Sequence, residues 1–578
     1  MTAVPPEYLI HKAALHLEGN DAEPMLQSLD SSPLPAHVAQ ICSSTVGFLG
    51  GAPLPGGRFL RFLGTPINGP DVRRIETADD AARLLPEFDG AFAAIFWDSA
   101  AQRLVIVTDC LGMQPIYWSR EGEQTRIATS TQAFGARRDL AAWGAFIAMG
   151  HTIGNRTLAN GVERLPSASV IVYDAAERSL QCTSYWQWPE PAAVPEAEAL
   201  VAQLRHDVAG YAAYDQAGVL LLSGGLDSRL VMCLLKEAGI PANALIVEHA
   251  DEHADADGRF ARSIAERFAW PYQKYTPPAD FFSSEAYLDY LIASDAATPS
   301  LYLFIAQLAD GIQSEAVWEG LAPGFALMPL HQPKGGFRAY VAQQVRNFDH
   351  VQWQAAVLLF GESLAVEMYR RFRDDLDKET AAFPDDGFGV SRFVIANRSR
   401  NRTSINPAKV YATRANPFMP GLSKAFISEA ASIPFEKKQG ARFYLDIFRR
   451  IFPEALDVPF LTGGEFVRTS RSTLQYYRSL AASAAGGIAS RHPRAAIGPL
   501  AQLRTGSRPR SIFLSRLPGG GESADALSRI PMKDPRRAAA EKLLFHWNVW
   551  EWVHQGCLKE ELLLPYAAVN ADKMSAAT

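Results

Sequence analysis

The chain has 578 residues, 48% hydrophobic and 20% charged, close to the mean of soluble globular proteins, which argues against a fibrous or wholly disordered design. Its formal charge of -6 lacks the concentrated basic footprint that nucleic-acid backbones demand, so nucleic acid is excluded as the main partner. Five scattered cysteines (Cys42, Cys110, Cys182, Cys233, Cys557), odd in number and never in a Cys-x-x-Cys pair, argue against a disulfide framework or a zinc site and point to a reducing cytosol.

Length sets an expectation of roughly two to four domains. The start of the chain has no basic segment followed by an apolar run, so a secretory signal is not expected. No stretch reaches about 18 uninterrupted apolar residues, so a cytoplasmic protein without a membrane partner is expected.

Up to about residue 190 the pattern is one of short strands and turns. Residues 91–97 read as a buried strand, Asp98-Ser99-Ala100-Ala101 as a turn and residues 104–108 as its hairpin partner. The segment 191–196, with Pro191 and Pro195 and no apolar periodicity, reads as a linker. The domains are therefore expected at 1–190 and 196–578.

Beyond the linker, an apolar run at 218–222 meets a glycine turn, a helix from Ser228 to about Ala238 and a stop at Gly239, before a second apolar run at 244–247. A continuous apolar strand, a helix and another such strand predict a parallel α/β sheet. From about Leu301 the chain reads as mainly helical, as over 422–431 and 442–452. Residues 481–521, rich in Ala, Gly, Ser and Arg, read as an excursion from the core with a solvated basic surface.

The strongest chemical signal is Ser223-Gly224-Gly225-Leu226-Asp227-Ser228, set between the first apolar strand and its helix. Glycines let a backbone approach phosphate oxygens, and a helix N-terminus adds roughly half a positive charge. Ser223 and Ser228 can donate hydroxyl hydrogen bonds, and Asp227 offers a carboxylate to Mg²⁺. No GxxxxGK[ST] string occurs, so this is not the γ-phosphate loop of kinases and GTPases. The cluster from His249 to Asp257, with His253 four residues after His249, resembles a metal site in composition. It lacks a downstream ligand and reads as a solvated acidic loop ending in a helix-capping Asp257.

This hexapeptide resembles the pyrophosphate loop of the N-type ATP pyrophosphatases, and the resemblance to their asparagine-synthetase branch spreads along the chain. Residues 85–118 (Leu85-Pro86-Glu87-Phe88-Asp89-Gly90, Phe96-Trp97-Asp98, Thr108-Asp109, Gly112, Pro115-Ile116-Tyr117-Trp118) and residues 157–166 running on to Tyr185-Trp186 are similar to the family's amidotransferase domain. Pro417-Phe418-Met419-Pro420, Ser432-Ile433-Pro434, Gly440-Ala441-Arg442 and Phe452-Pro453-Glu454 follow the order of its synthetase domain. The resemblance implies an α/β protein. An N-terminal Ntn-hydrolase-like sandwich, α+β in character, would precede a C-terminal parallel-sheet domain of the adenine nucleotide α-hydrolase type. The implied cofactors are ATP and Mg²⁺, the nucleotide being held by Leu222, Ser223, Gly224, Gly225, Leu226, Asp227, Ser228, Val247 and Gly320.

The departures matter as much. A working glutaminase of this family needs cysteine directly after the initiator methionine, its thiolate attacking glutamine and its freed α-amine acting as base; here that place holds Thr2. Residues 1–190 are therefore expected to be a scaffold without glutaminase activity. Where the family has a Gly-rich loop with two or three carboxylates, the run from Val317 to Gly324 keeps only Glu319, which is either a Mg²⁺ ligand beside Asp227 or a turn residue. Asp295, aligned with an acidic motif, is a further candidate ligand. The family's catalytic lysine is read as replaced by Arg442, which would act by electrostatics alone. Glu362 is the candidate base, lying where related β-lactam-forming enzymes carry one.

Among branches without the cysteine, the chain is most similar to the lasso-peptide cyclases, macrolactam synthetases that close the ring of a ribosomally made peptide. The implied partners are a precursor peptide, a leader-peptide protease and a leader-recognition protein. A β-lactam-synthetase-like enzyme, an ammonia-dependent asparagine synthetase and a catalytically silent binding module are the alternatives.

Overall fold

The computed structural model describes residues 3–5, 9–10, 14–17, 40–42, 46–49, 59–467 and 530–554, except 122–123, 191–192, 215–216, 249–255, 279–280, 282–284, 298–302, 328–335, 350, 463–464, 532–533 and 535. Thr2, the His249 to His253 cluster and the basic stretch 481–521 lie outside the described residues.

The first unit stacks two sheets. One runs in the order β1 (Leu9–Ile10), β5 (Phe59–Ile67), β6 (Asp89–Asp98), β7 (Arg103–Thr108), β11 (Ser169–Asp174), β12 (Ser179–Ser184). The other runs β10 (Val162–Arg164), β8 (Tyr117–Glu121), β9 (Gln124–Ala128), β2 (Ala14–Leu17), β4 (Val46–Leu49), β3 (Gln40–Cys42). All described pairings are antiparallel except β1 with β5.

The β6–β7 hairpin shows why the sequence folds so. Asp98 Oδ1 accepts the N–H groups of Ala100 and Ala101, both at 3.0 Å, closing the turn with a side chain in place of a backbone carbonyl. The pairs Trp97↔Leu104 and Ile95↔Ile106 follow. Strand alternation sends Ala93, Ile95 and Trp97 into the core between the sheets, and Phe92, Ala94 and Phe96 onto the opposite face, where helix α1 (Ala78–Leu84) covers them with Ala78, Ala81 and Leu84. Burial on both faces explains why this strand reads as a continuous apolar run rather than an alternating one.

The second unit follows β12 after residue 184, its first helix α2 (Ala197–Ala212) starting beyond the proline-rich linker. Its sheet runs β15 (Tyr272–Tyr275), β14 (Asn243–Val247), β13 (Val219–Leu221), β16 (Ala316–Trp318), β17 (Asn416–Phe418), with every pairing parallel. Helix α3 (Asp227–Glu237) follows β13, and α4 (Ala256–Arg267) follows β14. Gly239, at φ +68°, carries the chain out of α3 through the left-handed region. The fold is thus α/β, an antiparallel sandwich joined to a five-stranded parallel sheet. No described helix is long and apolar enough to cross a membrane.

The strand order decides where the site can be. From β13 the chain builds outward through β14 and β15 on one side, then returns to lay β16 and β17 on the other. Loops leaving the C-terminal ends of β13 and β16 therefore diverge, and such a switch point leaves a crevice in open α/β sheets.

Candidate functional site

A cavity of about 620 Å³ occupies that crevice. Leu222, Ser223, Asp227 and Ser228 line it from the β13 loop, Glu319 and Gly320 from the β16 loop, and Val247 and Asp257 from the far end of β14 and the start of α4. Parallel pairing of Leu220 with Trp318 puts the next residues of both strands at the same end of the sheet, which brings Asp227 and Glu319 together from positions far apart in sequence.

The loop is tightly organised. Ser228 Oγ accepts the Ser223 N–H at 3.0 Å and lies 3.0 Å from Ser223 Oγ, which accepts from Gly225 N at 3.3 Å. Gly224 N donates to Asp257 Oδ1 at 3.0 Å. A Cβ on Gly224 would stand 3.0 Å from Phe260 Cβ and from the Asp257 carbonyl oxygen, so any larger residue there would press on the start of α4. Helix α3 has no side-chain cap at Leu226, leaving its first N–H groups to other acceptors.

Behind the loop stands Arg229, the arginine that follows Ser228 in the motif and to which the sequence assigns no chemistry. Fully buried, it donates to the carbonyls of Ala455 (2.7 Å), Val458 (2.8 Å), Pro459 (3.0 Å) and Gly224 (3.3 Å). Leu461 N also donates to the Gly224 carbonyl, at 3.1 Å. The loop is thereby fastened to the segment 455–461.

Two of the charged groups facing the cavity, Asp227 and Lys438, are poorly compensated among the described residues. Asp227 Oδ1 is buried with no hydrogen-bond partner among the described residues, and burial pushes the carboxyl up to about 7, partly offset by the facing Tyr444 hydroxyl. Glu319 Oε2 accepts the Leu321 N–H at 2.6 Å; burial, with Asp227 nearby, pushes it up to about 7 as well. Lys438, only 1% exposed, also lines the cavity. Burial lowers it to about 7, as expected for a cation without a counter-ion.

Lys438, and not Arg442, lines this cavity. Helix α5 (Phe435–Lys438) is a single turn that buries Phe435 and Lys438, three residues apart, while Glu436 and Lys437 face out. Gly440 and Ala441, at φ +63° and +57°, then redirect the chain, leaving Arg442 exposed at the start of α6 (Arg442–Arg450), outside the cavity. No pattern distinguishes Lys437 from Lys438 in sequence; only the docking of α5 selects one.

Two further candidates also lie elsewhere. Glu362 is exposed at the first residue of the helix Glu362–Thr380, and does not line the cavity, because the chain places that N-terminus toward solvent. Asp295 is 2% exposed and held by a buried ion pair with Lys409 and by the Ser130 hydroxyl at 2.5 Å and Thr131 N at 3.2 Å. Its oxygens are taken up by Lys409 of the second unit and by Ser130 and Thr131 of the first, and it does not line the cavity.

Among the described residues no group of three or more His, Cys, Asp and Glu is placed to hold a metal. The pair Asp227 and Glu319, with an orphaned carboxylate oxygen, fits Mg²⁺ all the same, because this ion is commonly held by one or two carboxylates and completes its shell with phosphate oxygens and water.

Fold and site define a two-unit α/β protein whose parallel sheet carries, at its switch point, a cavity lined by the glycine-containing loop 223–228, two half-buried carboxyls and a buried lysine. Residues 78–186 match the family model of a glutamine amidotransferase domain, so the first unit is amidotransferase-like. No curated protein is similar enough to the chain to count as a relative. Among solved structures, a glutamine phosphoribosylpyrophosphate (PRPP) amidotransferase from B. subtilis, complexed with ADP and GMP, is 10% identical. The likeness covers 58% of this chain and 79% of that one at a TM-score of 0.22. A structure described as the allosteric regulatory enzyme of purine biosynthesis is 11% identical over 58% and 78%, with a TM-score of 0.21. Likeness this slight carries no functional weight.

Proposed function

We propose that this protein is an ATP-dependent amide ligase that forms an acyl-adenylate and transfers the acyl group to an amine, releasing AMP and pyrophosphate. The observation that carries the reading is the mismatch of charge in one cavity. Among the described residues Lys438 has no counter-ion and Asp227 Oδ1 no hydrogen-bond partner, yet both face a loop fit for phosphate. Burying such groups uncompensated is costly, and a Mg²⁺-nucleotide supplies the missing charge of each sign.

Loop N–H groups with the Ser223 and Ser228 hydroxyls would hold the β- and γ-phosphates, and Asp227 and Glu319 would hold Mg²⁺. The ion's contribution is to neutralise the departing pyrophosphate. A substrate carboxylate oxygen bonds to the α-phosphorus as the bond to pyrophosphate breaks. An amine nitrogen then bonds to the acyl carbon, AMP leaves and one proton is released. Lys438 would steady the charge that gathers on phosphate and tetrahedral oxygens, as preorganised cations do in dry sites. Apolar wall residues, Leu221, Phe325, Val390 and Val394 among them, would keep water from the adenylate.

For the substrate we infer a ribosomally made precursor peptide, ring-closed between its N-terminal amine and an Asp or Glu side chain, with a leader protease and a leader-recognition protein as partners. The resemblance to lasso-peptide cyclases supports this. An intramolecular second step would gain up to ~7–11 kcal/mol from proximity in ideal cases.

The test is incubation of the full chain with ATP, Mg²⁺ and candidate acceptors, with nucleotides and acceptor followed by mass. AMP with a dehydrated peptide is expected. AMP formation driven by free aspartate would move the assignment to an asparagine synthetase, and ADP, or no nucleotide cleavage with any acceptor, would overturn it.

A further inference from the structure

Part of the cavity wall beyond the sheet loops is a π-helical segment, Val394–Thr403. Helices bonded i to i+5 are rare and recur at functional sites, because they trade regular geometry for the placement of particular side chains. Here the trade is visible in the two sides of the coil.

One side is fastened to the amidotransferase-like unit. Arg400 donates to the Leu165 carbonyl at 2.7 Å and to Asn155 Oδ1 at 2.8 Å. Asn401 donates to the carbonyls of Thr152 (3.1 Å) and Gly154 (3.0 Å), and Asn397 Oδ1 accepts Gly154 N at 2.7 Å. The other side, with Arg398, Ser399 and Thr403, lines the cavity. Ser399 is 0% exposed and, among the described residues, its Oγ has no hydrogen-bond partner; the buried Oγ1 of Thr403 has none either. A buried hydroxyl left unpaired is costly and uncommon in native structures. Two of them four residues apart, both facing one cavity beside an arginine, form a prepared set of donors.

We propose that this face of the π-helix is the subsite for the carboxyl-bearing substrate, the Ser399 and Thr403 hydroxyls donating to its carboxylate or adjoining carbonyl oxygens beside Arg398. The inference rests on the ligase reading above and assigns its acyl substrate a place opposite the phosphate loop. It also gives the first unit a task that needs no glutaminase chemistry: holding the substrate wall in position.

The experiment titrates L-aspartate, L-glutamate and a synthetic nonapeptide with a free N-terminus and a C-terminal aspartate into the full chain. Each titration is run with and without Mg²⁺ and α,β-methylene-ATP, in wild type, Ser399→Ala, Thr403→Val and Thr403→Ser. At least one probe binds wild type saturably, and its affinity falls roughly tenfold or more in S399A and T403V, the usual cost of a lost hydrogen bond to a charged group. T403S restores it, and nucleotide affinity stays within about twofold of wild type, since the phosphate loop is untouched. Unchanged probe affinity in both variants, absence of saturable binding by every probe, or loss of nucleotide affinity in place of probe affinity would overturn the proposal. If wild type fails to bind the nucleotide, the ATP reading falls, while dependence of probe binding on the hydroxyls still decides this one.

Discussion

Gly324 and Asp227 approach so closely that a Cβ on the glycine would lie 2.4 Å from Asp227 Oδ2. Gly324 sits within the helix Leu321–Leu327, where alanine is ordinarily better than glycine by about 1 kcal/mol. Gly324→Ala therefore isolates the clash: helix propensity improves while the carboxylate must move. Half-saturation of AMP formation by Mg²⁺ should rise at least ~10-fold, with a stability loss of no more than about 3 kcal/mol. A Mg²⁺ titration of initial rates checks this, and an unchanged midpoint would separate Asp227 from the metal.

Lys438 and Arg442 make opposite predictions. Lys438→Met should keep the fold, since it replaces a buried unpaired cation by an apolar chain of similar length, and should lower AMP formation by roughly 100-fold or more. Arg442→Ala, at an exposed position, should leave the rate within about threefold and stability within ~0.5 kcal/mol. Initial rates of the two variants under saturating ATP distinguish them.

The pH dependence of stability follows from Glu319. Its folded carboxyl is raised to about 7 from 4.5, so between these values the folded state keeps a proton that the unfolded chain has lost. Stability from this group is present below about 4.5 and falls as pH rises through 7. Glu319→Gln should stabilise the ligand-free protein at pH 8 by up to about 3 kcal/mol, shrinking toward nothing near pH 4.5. Urea unfolding at the two pH values would show it, and an equal effect at both would rule it out.

Asp295 tests the joint between the units. Asp295→Ala leaves Lys409 buried without its partner, a change that costs on the order of 3–5 kcal/mol. The Mg²⁺ midpoint of the surviving folded fraction should not move, because Asp295 does not line the cavity. Unfolding curves alongside a Mg²⁺ titration measure both; a shifted midpoint would return Asp295 to the metal site.

Local signals in the sequence determined much of this. The run 91–97 and its Asp98 turn specify a hairpin because backbone torsion and side-chain alternation act over a few residues. The order of apolar strand, glycine turn and helix around Ser223 to Ser228 specifies a parallel unit with a glycine turn at the strand's end for the same reason. Tertiary structure alone decided the rest. That Glu319 faces Asp227 follows from the order in which β13 and β16 are laid side by side. That Lys438 and not Arg442 enters the cavity follows from the docking of one helical turn. That Ser399 and Thr403 face inward follows from hydrogen bonds to a unit more than two hundred residues earlier in the chain. Such choices depend on contacts between distant segments, whose energies no local pattern encodes.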